Sequence, residues 1–250
     1  GAIDTDAVNV AQLKAAQTHY YSVNATGAVR PVPTNTTNIN NDGAGGIGTL
    51  ANGLSTTATG IYATAVGNTA VASGKYSSAF GYGATAVGGK SDEHYATAFG
   101  YLASASGENS TAFGAYSVAG RYGTAFGSLA KAVDATNTGS PIAFGTSSLS
   151  TGVSSIAIGD WARSKGINAI AIGGKPAGNY EQGKSTLADG DRSIAIGDAA
   201  TGGGSDAIAL GTGSQATGAK SISIGTGNVV SGNNSGALGD PSYVTGSGTY

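Results

Sequence analysis

The 250-residue chain contains no cysteine and no methionine. Without a thiol there are no disulfides, no thiolate metal sites and no cysteine nucleophile. The lack of any Met, the initiator included, reads as a piece from the interior of a longer protein, so a missing leader or anchor says nothing of the parent. Charge is scarce too. Twelve Lys and Arg against 14 Asp and Glu give a net charge of −2 and a charged fraction of 10 %, where a soluble domain usually carries about 25 %. No basic run is present, which argues against a nucleic-acid partner. No apolar run approaches the ~18 residues of a membrane-spanning helix. One Trp and five Phe are too few large side chains to fill a thick core. Yet 40 % of the residues are hydrophobic, which is not the composition of a disordered chain. Something thin and regular is implied.

What the chain has in abundance is glycine, 44 residues of it, and the glycine is periodic. A small–Ala–apolar–Gly pattern puts its glycine at 67, 81, 100, 114, 127, 145, 159, 173, 197, 211, 225 and 239. Fourteen is the unit; the wider gaps of 19, 18 and 24 residues are one unit plus an insert, at 89–97, 128–140 and 174–183 respectively. A second glycine often follows seven residues later, as at Gly74, Gly152, Gly166 and Gly218. A fixed short period means a solenoid. Helix is excluded for these units, because glycine in a helix interior costs about 1 kcal/mol each time. The apolar period is two, so Ile156 and Ile158 share one face while Ser155, Ala157 and Gly159 take the other. The predicted unit is one flattened coil of two five-residue strands and two short turns. Twelve coils stacked at the strand spacing give a roll about 58 Å long.

The Ala/Ser/Gly set is too small to fill a wide barrel but suits two sheets of one narrow coil. That places the larger pairs outside: Ile156 and Ile158, Ile170 and Ile172, Ile194 and Ile196, Ile208 and Leu210, Ile222 and Ile224. Such a stripe exceeds the few hundred Å² of apolar patch that monomers tolerate, so an interface between chains is expected there. Earlier units carry Thr64 and Val66, Ser78 and Phe80, Thr97 and Phe99, Thr111 and Phe113, Thr124 and Phe126 at the same places. A smaller residue beside a larger one roughly conserves volume across that interface.

The first 50 residues differ. Asn9 with Gln12 reads as a capping-box-like helix start, and Leu13, Gln17 and Tyr20 continue as a short coiled-coil stripe. Pro31, Pro33 and the stretch 35–48 read as connector. Within it, Gly43-Ala-Gly-Gly-Ile-Gly48 matches a dinucleotide-binding glycine pattern, but no strand precedes it and no helix former follows, so it reads as connector too. Asp92, Glu93 and His94 could form a metal or acid–base cluster, though a solvated insert is the simpler reading. His19 lies beside Tyr20 and Tyr21, and packing is expected for it. No histidine stands in a nucleophile context, so no catalytic, cofactor or metal residue is assigned. Asn24, Asn35 and Asn109 open glycosylation sequons that chance explains in so Asn-, Ser- and Thr-rich a chain.

The units 155–166 and 221–232, Ser-Ile-Ala-Ile-Gly-Asp-Trp-Ala-Arg-Ser-Lys-Gly and Ser-Ile-Ser-Ile-Gly-Thr-Gly-Asn-Val-Val-Ser-Gly, resemble the head repeats of trimeric autotransporter adhesins of the YadA type. Residues 5–13, Thr-Asp-Ala-Val-Asn-Val-Ala-Gln-Leu, resemble that family's neck motif. Residues 19–24 resemble its return from coiled coil to β structure. The resemblance implies neck and coiled coil over 1–24, connector over 25–50 and head over 51–250. It also implies an all-β fold, a left-handed parallel β-roll in a homotrimer, exposed at the cell surface and held in a Gram-negative outer membrane by a C-terminal barrel outside this chain. The implied function is non-enzymatic attachment to host cells or matrix proteins. An ice-binding solenoid and a repeat-built enzyme are the alternatives. The first would keep one Thr rank through every coil, whereas Thr97, Thr111 and Thr124 give way to Ile142, Ile156 and Ile170. Aromatics next to the repeat glycines, Tyr82, Tyr101, Tyr116 and Trp161, fall at corners. They either cover neighbouring coils or form an adhesive surface, since such rings offer large amphipathic area at low entropy cost.

Overall fold

The computed structural model describes residues 9–25, 27–31, 37–88, 95–175, 185–239 and 241–250. Asn9 Oδ1 accepts the Gln12 N–H at 2.9 Å and Gln12 Oε1 accepts the Asn9 N–H at 3.0 Å. This reciprocal box starts a six-residue helix, α1 (Val10–Ala15). The helix ends there, so Gln17 and Tyr20 do not extend the stripe begun by Leu13. Tyr20 turns to φ 63°; its N–H donates to Asn38 O at 3.0 Å and its carbonyl accepts the Gly53 N–H at 2.7 Å. So short a helix has little stability of its own, and pairing with the roll decides the path.

From residue 57 onward, two-residue and three-residue strands alternate, as in Ile156–Ile158, Arg163–Ser164 and Ile170–Ile172. The longer strands stack in parallel register in one sheet, and the shorter ones form a second sheet of 13 strands. The molecule is a parallel β-solenoid of about 13 turns. Its strands are shorter than the five residues expected because the corners take more of the chain. After the longer strands, from Thr49–Asn52 onward, comes a glycine such as Gly145 (φ 128°), and in most coils two positions later a residue in the left-handed region, such as Ser147 (φ 54°). Sequence inspection anticipates the glycine but not its partner, because non-glycine residues enter that region only when the surrounding structure enforces it. Gly145 is required for a second reason: a Cβ there would stand 2.5 Å from the carbonyl oxygen of Gly159, one coil on.

The interior follows the small-residue reading. Among the described residues every buried hydrophobic side chain except Val230 is alanine. Ala143, Ala157, Ala171, Ala195 and Ala209 lie in register along the longer-strand sheet. Buried serines complete the core, and among the described residues all of their enclosed hydroxyls but that of Ser193 find a partner. Ser150 Oγ and Ser155 Oγ lie 2.6 Å apart, and Ser164 Oγ donates to Ala169 O at 2.9 Å. Corner serines tie the turns, as Ser148 Oγ does on Gly145 O at 2.8 Å.

The N-terminal end of the longer-strand sheet carries one further strand. Strand β1 (Tyr21–Asn24) pairs antiparallel with β2 (Thr49–Asn52), Tyr21 opposite Asn52, so the parallel stack ends in an antiparallel strand that is itself the sheet's edge. The glycine stretch read as connector is packed rather than loose. Ala44 bridges Ala58 in parallel, and a Cβ on Gly43 would come within 2.9 Å of Asn38 Oδ1. The inserts leave the coils in phase: Ile170 still faces Ile194 and Thr124 still faces Ile142 across them.

Candidate functional site: outward columns and corners

Because side chains alternate along a strand, each longer strand with Ala buried at its centre turns its first and third residues outward. Parallel register converts these into columns. Ile156, Ile170, Ile194, Ile208 and Ile222 form one, and Ile158, Ile172, Ile196, Leu210 and Ile224 the other. In the isolated chain Ile158, Ile172, Ile196 and Ile222 are exposed, and Ile156, Ile170, Ile194, Ile208, Leu210 and Ile224 half-buried. The ten residues read from the sequence as an interface thus share one outer face.

The same third-position column continues upward in aromatics and holds all five phenylalanines of the chain. Phe99, Phe113, Phe126 and Phe144 stack face to face, with successive centroids 4.8, 4.7 and 4.9 Å apart and ring planes within 5°. Phe80 joins them tilted, 5.9 Å from Phe99. Phe144 remains 50 % exposed, a large apolar area for one chain to leave in water. Beside this column stands the small first-position series with Thr97, Thr111 and Thr124.

Two corners flank this sheet. In the corner after each longer strand lie the four aromatics singled out from the sequence. Tyr82 stacks on Tyr101 at 5.3 Å, and Tyr116 meets Tyr101 edge-on at 5.2 Å. A hydrogen bond and charge interaction with Tyr116 push the Tyr101 hydroxyl above its ordinary pKa. Trp161 stands three coils further along, half-buried, with Lys175 Nζ 5.0 Å from its ring centre. It lines a shallow cleft with Ser147, Leu149 and Arg163. The opposite corner carries a second aromatic column that sequence reading did not separate from the first: Tyr62, Tyr76 and Tyr95, stacked at 5.4 and 5.2 Å. Its signal was present, since Tyr62 and Tyr76 each follow the second glycine of their unit by two residues.

Further along that second corner the rings give way to charge. Arg192 forks onto Asp206 of the next coil, holding the Asp206 carboxyl below the usual carboxylate range. Arg121 pairs with Glu108 at 3.1 Å. Among the described residues the one buried carboxylate is Asp134, in the insert at 128–140. Burial pushes its pKa up, but the Thr136 hydroxyl and the amides of Gly139, Thr136 and Thr138 outweigh that and hold it at about 2.

The other chemical motifs find no free site. In the glycine stretch the Gly43, Ala44, Gly45 and Gly46 amides donate to Asn38 Oδ1, Ser22 Oγ and Ala58 O, so these four are not free to cradle a phosphate. Asn24 is buried, its amide donating to Gly46 O at 2.7 Å, which removes that sequon from the surface. His19 is exposed, its Nδ1 2.6 Å from Ile39 O. Asp92, Glu93 and His94 lie outside the described residues, as do most of the insert at 174–183 and Asn35.

Among the described residues no helix is long and apolar enough to cross a membrane. No curated protein shows significant similarity to the chain. The family model for the YadA head domain repeat, in two-copy units, matches residues 44–70, 58–84, 72–91, 94–117, 142–160, 150–175, 182–202, 203–228 and 216–242. Those matches cover more than half of the chain and coincide with the alanine-cored coils. The chain therefore belongs to the YadA head domain family, the heads of YadA-like trimeric autotransporter adhesins.

Proposed function

We propose that this chain is the head of a homotrimeric surface adhesin that attaches a Gram-negative bacterium to host cells or extracellular matrix. The observation that carries the reading is the contrast between a core of alanine and an outward rank of stacked Phe and Ile. The roll uses its large apolar residues for association rather than for its own interior. Family membership supports the same reading, since YadA-like proteins are typically homotrimeric, generally non-enzymatic and displayed as surface passengers. Anchorage would come from a membrane barrel elsewhere in the parent protein.

Three rolls packed by their longer-strand faces would leave the shorter-strand sheets outward. Leu149 and Arg163 belong to that sheet, and with Trp161 they offer an apolar platform beside a cation. We assign this cleft to the adhesive surface. The test is an array of matrix proteins and cultured cells probed with trimer and with Ile158→Asp protein. Binding by the trimer that Trp161→Ala weakens supports the reading; a trimer that binds nothing on cells or matrix overturns it.

A further inference from the structure

The two tyrosine columns stand at opposite edges of the same sheet and at the same height. Tyr76 precedes and Tyr82 follows the strand Ser78–Phe80; Tyr95 precedes and Tyr101 follows the next strand of that sheet, Thr97–Phe99. All four rings are exposed in the single chain, Tyr82 and Tyr95 by 50 %. A cyclic assembly about an axis parallel to the roll has a strict consequence. Rotation moves no residue along the axis, so each protomer's trailing edge meets its neighbour's leading edge at equal height. The contact is heterologous, between two different patches.

The side chains at those edges fit such a contact. The bulky Phe column lies nearer the corner of Tyr82 and Tyr101, and the small Ser/Thr column, with Ser78 and Thr97, nearer that of Tyr76 and Tyr95. Large therefore meets small where the edges close, and the tyrosines flank the junction from both sides. We propose that Tyr82 and Tyr101 of one protomer pack against Tyr76 and Tyr95 of the next, closing the ring with an inter-chain aromatic zipper over coils of the N-terminal half. Its partner is a second copy of this chain, and the proposal rests on the homotrimer reading above. Tyr116, edge-on to Tyr101, holds the end of the zipper. These rings are then an assembly device and not part of the adhesive surface.

The chain has no cysteine, which makes the test clean. In the double variant Tyr95→Cys, Tyr101→Cys the two thiols sit on either side of an extended strand, farther apart than the ~7 Å between Cα atoms that a disulfide tolerates. A disulfide between them can form only from chain to chain. Mild oxidation of the trimer should yield a covalent trimer on a non-reducing gel, while each single variant stays monomeric on the same gel. The unmodified protein supplies an independent readout. Photo-oxidative dityrosine coupling should link protomers, and Tyr82→Phe with Tyr101→Phe should reduce that product at least fivefold. A trimer by light scattering that gives neither link overturns the zipper and leaves the trimer standing. A monomer by light scattering overturns both.

Discussion

The rings of Phe113 and Phe126 lie 4.7 Å apart and 4° from parallel, each on the outward side of a strand whose inward residue is a fully buried alanine. This inversion, with large side chains outside and small ones within, organises the molecule.

In the proposed homotrimer, substitution on that face should act on assembly. In the proposed trimer Ile158→Asp would bring three carboxylates around one axis without partners, at about 3–5 kcal/mol for each uncompensated buried charge. The expected result is a monomer or an aggregate by light scattering. Wild-type mass and melting temperature in this variant would show that the Ile columns face solvent.

Gly145→Ala tests the corner. The substitution forces a side chain to φ 128° and into contact with the Gly159 carbonyl. The backbone strain alone is worth about 1–3 kcal/mol. Thermal unfolding should show a clear fall in Tm, larger than that for Gly213→Ala, where the nearest atom to a Cβ is 3.9 Å away.

Two buried serines should respond in opposite directions. Ser155 Oγ bridges Ser150 Oγ and Ser164 O, so Ser155→Ala should cost about 1 kcal/mol. Ser193 Oγ, alone among the described buried side-chain polar atoms, has no partner. Removing it relieves an unpaid desolvation, and Ser193→Ala should raise stability by about 1 kcal/mol. Denaturant midpoints of the two variants check the sign.

Asp134 sets an acid dependence. Its folded pKa of about 2 lies below the ordinary value near ~3.9. A depressed carboxylate stabilises the fold above its unfolded pKa, and that contribution disappears as pH falls from about 4 to about 2. Comparing wild type with Asp134→Ala, the difference in Tm should be constant above pH 5 and shrink toward zero near pH 2. A difference independent of pH would show that the carboxylate charge is not what the loop uses.

Deleting residues 175–184 should leave the roll intact. Gly173 and Gly174 would then run directly into Ser185, Thr186 and Leu187, reproducing the spacing of Gly159 to Arg163. Ile170 and Ile194 are already in register across the insert. The variant should keep its Tm and its assembled mass. A fall of more than ~5 °C would show that the insert packs against the roll or a neighbouring chain.

Much of this was legible in the residues. Glycine every fourteen positions with alanine at alternate strand positions dictates a narrow coil, since periodicity is local and the core has room for nothing larger. The outward Ile and Phe ranks follow from the same alternation. Most of what the sequence could not decide depended on residues far apart in the chain. Tyr20 leaves the helical stripe because Asn38 and Gly53 offer it backbone hydrogen bonds. Gly43 reads as loose connector until Asn38 and Thr56 close around it. Asp134 has no visible partner in its own pattern; only the folded insert turns three amides toward it. The tyrosines form one compositional cluster along the chain; their offsets from the two glycines of each unit mark two groups, and the winding sets these on opposite corners. Local spacing determined the coil. Contacts between neighbouring coils and across the ends, where hydrogen-bond partners come from distant residues, and the turn geometry of the folded insert around Asp134 decided the rest.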